Sequence, residues 1–256
     1  MGSVFDLIAF DGDDTLWHNE RSYRDAREHF RSLLERAGVE LDTDQVEATV
    51  TRTEVANIRY FGYGVSSFTL SLIETAVDLT GGRVSSEDLR GHVHLAKGMM
   101  SEHIEVFDGV RPTLAALSTI RPLMLITKGD LLHQASKLER SGLEDYFQHV
   151  EIVSEKTPSV YERILNRHGI DPARFLMVGN SLRSDILPVI DLGGCAAYIP
   201  AALNWVHEHA DAPATGHERF FELSSIAEVV GLVDRLAVIS AIRGDGSADS
   251  GRRGNG

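Results

Sequence analysis

From Gly109 onward, short apolar runs alternate with stretches of helical periodicity, and this alternation constrains the fold more than any other feature of the chain. The runs are 122–127 (PLMLIT), 148–153 (QHVEIV), 174–179 (RFLMVG) and 195–199 (CAAYI). Helices are predicted between and after them at 110–119, 130–141, 158–168, 184–191 and 225–239, the third opening on Thr157 as cap and Pro158 at its first position. Strands separated by helices pair through crossovers, which gives a parallel sheet covered on both faces.

One more apolar run, Val4 to Phe10 (VFDLIAF), stands far upstream and ends abruptly at Asp11-Gly12-Asp13-Asp14. What separates it from Gly109 is helical: 21–37, 44–60, 68–79 and 86–100, with Gly38 and Gly81-Gly82 as stops. The expected organisation is therefore a Rossmann-like core from residues 1–18 and 105–240, a helical insertion over 19–104, and a disordered Gly/Ser/Asp/Arg tail over 241–256. Within the insertion, Phe61, Tyr63 and Phe68 are expected in its core, and Gly62-Tyr63-Gly64 is a candidate specificity loop. An Arg243-Gly244-Asp245 tripeptide in the tail is read as chance.

Composition excludes several classes. A net charge of -13 repels nucleic acid and anionic membrane, so neither is expected as a partner. Cys195 is the single cysteine, which rules out an intrachain disulfide and suits a reducing cytoplasm. No basic segment precedes the first apolar run, so no signal peptide is expected, and no run is long enough to span a membrane.

In parallel sheets, ligands bind beyond the carboxyl ends of the strands. Those ends carry Asp11, Asp13 and Thr15 after the first run, Thr127-Lys128-Gly129 after the next, then Lys156, and finally Gly179-Asn180-Ser181 with Asp185 beyond. Carboxylates, a hydroxyl, an amide and a lysine on one rim suit phosphoryl transfer. One carboxylate can attack phosphorus, a second can move the proton, and a lysine with a hard cation can offset the charge on the oxygens.

These stretches resemble the four motifs of the haloacid-dehalogenase-like superfamily, in order, over about residues 4 to 200. Asp11-Gly12-Asp13-Asp14-Thr15 matches its Asp-x-Asp-x-Thr, Thr127 its strand-ending hydroxyl, Lys156 its lysine, and Gly179 to Asp185 its acidic motif. The resemblance implies a magnesium-dependent phosphohydrolase with a helical cap of the C1 type. It implies Asp11 as nucleophile, Asp13 as acid and base, Thr127 and Lys156 on the phosphoryl group, and Asp11, Asp13, Asn180 and Asp185 around Mg2+. The substrate would be a small phosphorylated metabolite. Asn180 departs from the pattern, which has Asp there; an amide oxygen ligates magnesium without supplying charge.

Other readings compete. A sugar-phosphate mutase would keep the same motifs. A catalytically weak binding protein is favoured only by Asn180. Carbon–halogen cleavage does not need the second carboxylate, so Asp13 argues against it. Thr15 is expected to position the loop through backbone hydrogen bonds, Asp130 to cap a helix, and Lys128 to be a solvated surface lysine. Trp17, His18 and Asn19 stand where the chain leaves for the insertion and are candidates to face the site. The pairs His92/His94 and His207/His209 lack further ligands at metal spacing, and Trp205 is a candidate for the mouth of the site.

Overall fold

The computed structural model describes residues 4–40, 42–201, 208, 210–214 and 216–246. Trp205, His207 and His209 lie outside the described residues. Six strands, β1 (Leu7–Phe10), β2 (Leu123–Lys128), β3 (His149–Val153), β4 (Phe175–Gly179), β5 (Cys195–Tyr198) and β6 (Phe220–Glu222), form one sheet in the order β3-β2-β1-β4-β5-β6. Every pairing is parallel. The order reverses between β1 and β4, and such a switch point opens a crevice at the carboxyl edge of the sheet.

β1 is the central strand, and all four of its residues are buried. Its side chains alternate between two cores, as a pleated strand requires. Ile8 and Phe10 join Leu123, Leu125, Leu176 and Val178 on one face. Leu7 and Ala9 join Met124, Ile126, Phe175 and Met177 on the other. The first face is covered by α5 (Val110–Ser118) and α9 (Glu228–Gly246), through Leu114, Leu117, Val229 and Leu232. The second is covered by α7 (Pro158–His168) and the short α8 (Leu187–Asp191), through Tyr161, Ile164 and Val189. α6 (Leu131–Ser141) places Leu138 on the first face.

The insertion consists of α1 (Glu20–Arg36), α2 (Thr43–Phe61), α3 (Val65–Thr80) and α4 (Ser86–Ser101), which share a separate core of Phe30, Leu33, Leu34, Val50, Phe68 and Leu72. Two capping boxes fix helix starts. Asp42 and Gln45 exchange side-chain and backbone bonds at α2, and Ser85 and Asp88 do the same at α4. The chain leaves and re-enters the sheet domain along paired segments: the His18 amide donates to Glu105 O at 2.9 Å, and the Phe107 amide to Leu16 O at 3.0 Å.

The structure differs from the sequence reading in five places. β6 was not expected; it is a three-residue edge strand, too short to show alternation. The predicted helix 184–191 begins instead as a π turn over Leu182–Ile186 before α8. α9 continues to Gly246, into the stretch read as disordered tail, because Gly is tolerated at a helix end; residues 247–256 lie outside the described residues. Phe61 is not core but 54% exposed at the end of α2. Phe68 is buried as expected, while Tyr63 turns away from the core to the sheet domain. The described residues contain no helix long and apolar enough to cross a membrane.

Candidate active site

The first turn after β1 explains how two carboxylates are presented together. Asp11 continues the sheet ladder, its amide donating to Val178 O at 2.9 Å. The chain then folds back sharply, with the Leu16 amide reaching Gly12 O at 2.8 Å. Asp14 takes a positive φ of 57°, a conformation that Asp tolerates better than most side chains. Its carboxylate accepts from the amides of Asn19 (3.0 Å) and Glu20 (3.1 Å), so it caps α1 although Asn19 holds the cap position.

Asp11, Asp13, Thr127, Lys156, Asn180 and Asp185 all line one cavity of about 160 Å³, at the carboxyl edge of the sheet beneath the insertion. The Lys156 ammonium bonds to Asp11 Oδ1 and, at 2.7 Å, to Asp185 Oδ1. Asp185 is 1% exposed, and its Oδ2 accepts from the Ser181 amide at 3.0 Å. The π turn swings Asp185 back over Gly179, a geometry such turns often supply at functional sites. A Cβ added to Gly179 would fall on the Asp185 carboxylate, 2.6 Å from its Cβ. Gly179→Ala is therefore expected to destabilise the fold by about 1–3 kcal/mol, read as a lower midpoint in urea unfolding; an unchanged midpoint would contradict this packing.

Thr15 holds the loop as expected, its amide donating to Gly12 O at 3.3 Å, and its side chain does more. Its hydroxyl lies 3.2 Å from both Asp11 Oδ2 and Asn180 Oδ1, holding those two oxygens toward one point. Thr127 Oγ1 accepts from Gln134 Nε2 at 2.7 Å, which leaves its own hydrogen free to donate.

Asp13 is held by three donors, of which only Trp17 was a candidate to face the site: Trp17 Nε1 at 2.7 Å, Lys137 Nζ at 2.8 Å and Gln134 Nε2 at 3.0 Å. Lys137 also donates to Asn19 Oδ1 at 2.6 Å. Gln134 and Lys137 stand three residues apart on one face of α6, a spacing visible in the sequence but without meaning until α6 is placed beside Asp13. Asp130 caps that helix as expected, accepting from the His133 amide at 3.0 Å.

Lys128 is not a solvated lysine. Its side chain is 14% exposed and paired with Glu208 at 2.5 Å, and its ammonium lies 4.4 Å from the centre of the Tyr63 ring. Glu208 also accepts from the hydroxyls of Ser181 and Ser184, each at 2.5 Å. This acidic chain thus brings three of its four lysines, Lys128, Lys137 and Lys156, to a single cavity. His92 is buried in the insertion with its Nδ1 3.1 Å from Asp88 O, in no metal cluster.

Electrostatics separate the carboxylates of Asp11 and Asp13. Burial pushes the Asp11 carboxyl up to about 7, with the Asp185 and Asp13 charges adding and the Lys156 ammonium opposing. Burial acts on Asp13 in the same direction, but the Lys137 ammonium and the three hydrogen bonds outweigh it and hold Asp13 below the usual carboxylate range. Burial alone would lower Lys156, but Asp11 and Asp185 outweigh it and keep it firmly protonated. Glu208 is brought down to about 2, its burial offset by Lys128 and the two serines.

The donor set suits a small hard cation. Asp11 Oδ2 and Asn180 Oδ1 converge on Thr15, with the Asp185 carboxylate alongside. Among the described residues no three His, Cys, Asp or Glu side chains form a complete cage. Magnesium does not need one, since it keeps several waters and takes one or two carboxylates.

Comparison with known proteins agrees with this geometry. Residues 5–193 match the haloacid dehalogenase-like hydrolase family. The chain is 26% identical over 170 residues to N-acylneuraminate-9-phosphatase of Mus musculus, covering 64% of this chain and 66% of that one. It is 29% identical over 167 residues to a pyrimidine 5'-nucleotidase of Escherichia coli, covering 60% and 71%. The crystal structure of a haloacid dehalogenase-like family hydrolase from Xanthomonas campestris superposes with a TM-score of 0.81 at 37% identity, over 94% of this chain and 99% of that one. The chain belongs to the haloacid dehalogenase-like hydrolase family.

Proposed function

We propose that the protein is a magnesium-dependent phosphohydrolase of small phosphorylated metabolites, working through an aspartyl phosphate on Asp11. One observation carries this reading: Asp11 and Asp13 face the same cavity in opposite electrostatic settings, one tied to Lys156 and the other to Lys137. Two curated relatives, named as phosphatase and nucleotidase, support it.

In the first step an Asp11 oxygen attacks phosphorus, the bond from phosphorus to the leaving oxygen breaks, and Asp13 delivers a proton to that oxygen. In the second, water attacks the same phosphorus, Asp13 takes its proton, and the bond to Asp11 breaks, releasing phosphate. Lys156 and the Thr127 hydroxyl stabilise the charge carried by the phosphoryl oxygens. Asp13 stands ionised beside Lys137, which suits the second step directly. For the first step it must gain a proton against Lys137, and an arriving phosphate dianion supplies the negative charge that favours this.

Asp11, Asn180 and Asp185 would hold Mg2+, with Asp13 offering its main-chain carbonyl, while the Asp13 carboxylate gives three of its acceptor positions to Trp17, Lys137 and Gln134 and keeps one for the proton. When bound, the ion neutralises the phosphate and polarises it toward attack. Asp11, Asp13 and Asp185 against Lys137 and Lys156 leave one net negative charge; a divalent cation reverses that sign, so an anion can enter. The helical segment 19–104 acts as a cap that excludes bulk water during phosphoryl transfer.

Phosphate release from a panel of small phosphomonoesters should require Mg2+ and fall at least roughly 100-fold in chelator. Activity that persists undiminished in chelator would remove the metal from the mechanism. No release from any phosphomonoester by folded, magnesium-loaded protein would remove the hydrolase reading.

A further inference from the structure

The cavity is also lined by the insertion, through residues that include Glu20, Tyr23 and Arg27 on α1, Glu54 and Ile58 on α2 and Phe68 on α3, and by His133 of α6. Several polar atoms there lack partners. Five side-chain atoms among the described residues are buried with no hydrogen bond, and three of them, Arg27 Nε, His133 Nε2 and Gln134 Oε1, belong to this cavity's lining. Buried polar groups are normally satisfied, so orphans gathered around one space indicate that a ligand completes them. His133 and Gln134 are more than nine-tenths buried. The Glu20 carboxylate also makes no hydrogen bond among the described residues, since only its amide is engaged. Burial, with the Asp14 charge next, pushes Glu20 up to about 7, the mark of a carboxylate awaiting a donor.

The charges discriminate among leaving groups. Arg27 is already paired with Glu54 at 2.5 Å and lies 3.6 Å from Glu47, so it has no free charge with which to fix a carboxylate. Glu20 and Glu54 repel one as well. An ammonium group could satisfy Glu20, but it would meet Arg27 and leave Arg27 Nε with only the Glu47 carboxylate, 3.6 Å away and beyond hydrogen-bond distance. A hydroxyl both donates and accepts, and so matches an acceptor, Glu20, beside a donor, Arg27 Nε. Neutral His133, lowered to about 4 by burial and the Lys137 charge, takes either role.

We propose, building on the phosphohydrolase reading, that the leaving group is an uncharged, hydroxyl-rich alcohol held by Glu20, Arg27 and His133, so that the substrates are sugar or polyol phosphates and not phosphorylated acids or amines. The test is kcat/KM on hexose phosphates, glycerol phosphate, phosphoglycolate, phosphoethanolamine and acetyl phosphate, whose leaving group carries no hydroxyl to donate to Glu20. Hexose or glycerol phosphates should exceed phosphoglycolate and phosphoethanolamine at least roughly tenfold. Glu20→Ala should lower kcat/KM for the preferred polyol phosphate about 10- to 100-fold more than for acetyl phosphate, mainly through KM, and Glu20→Gln should recover part of the loss. Because the Glu20 carboxylate holds no partner, its removal breaks no hydrogen bond of the fold. Preference for phosphoglycolate or phosphoethanolamine, or equal losses on both substrates in Glu20→Ala, overturns the proposal while acetyl phosphate turnover keeps the hydrolase reading. Silence on acetyl phosphate and on every ester overturns both.

Discussion

Asp11→Asn should fold and release no phosphate, with kcat down on the order of 10⁴-fold or more. The amide is nearly isosteric, so the loop from Gly12 to Trp17 keeps its bonds, but an amide oxygen does not form the bond to phosphorus. Lys156 retains Asp185 as counter-ion at 2.7 Å, so the change does not strand a buried ammonium. Stability should also become less dependent on pH. The Asp11 carboxyl is pushed from 3.8 up to about 7, so the folded wild type holds that proton more tightly than the unfolded chain. The strain of its ionisation is absent below about 3.8 and grows as pH rises toward 7; in Asp11→Asn that contribution disappears. Thermal unfolding of both proteins across this range, with phosphate release beside it, checks both halves. Wild-type turnover in the variant would dismiss Asp11 as the nucleophile.

How much of this was legible beforehand depends on how local each feature is. β1, β2, β3, β4 and β5 announced themselves because buried parallel strands are nearly continuous apolar runs, and their carboxyl ends fixed where Asp11, Thr127 and Asn180 would meet. The helices of the insertion were readable from their periodicity and glycine stops. Of the partners of Asp13, Trp17 was a candidate, but Lys137 and Gln134 were not. Lys137 and Trp17 reach it only because α6 and the loop after β1 pack side by side, and a long amphipathic side chain in a sequence looks the same buried or solvated. Glu208 was hidden for the same reason: nothing local distinguishes a glutamate that bridges Lys128, Ser181 and Ser184 from a surface one. The resemblance supplied the order of the motifs, whereas the acidic wall formed by Glu20 and Glu54 required knowing which faces of α1 and α2 look down on the sheet.

The largest stability effect is expected at Lys156. Its ammonium is almost fully buried between Asp11 and Asp185, and those carboxylates are respectively 9% and 1% exposed. Lys156→Met preserves the length and apolar stem of the side chain but leaves two buried carboxylates facing each other without a cation. Breaking a buried pair from one side costs about 3–5 kcal/mol, because the partner charge stays desolvated. The ammonium's own contribution in the wild type does not change over the neutral range: Lys156 is held above the ordinary lysine value, so its contribution is complete below that value and is lost only as pH rises through the still higher folded one. The variant should behave differently. With no ammonium to oppose burial, the Asp11 carboxyl is pushed above the value of about 7 it has beside Lys156, and stability should fall as pH climbs from the ordinary carboxylate value of 3.8 to 7 and beyond. Adding Mg2+ should restore part of the loss, since it binds the folded carboxylates and not the unfolded chain. Urea unfolding near pH 5 and pH 8, each with magnesium and with chelator, separates these terms. A variant as stable as wild type at pH 8 in chelator would mean that Asp11 and Asp185 do not depend on Lys156, and that the charge balance assigned to the cavity is wrong.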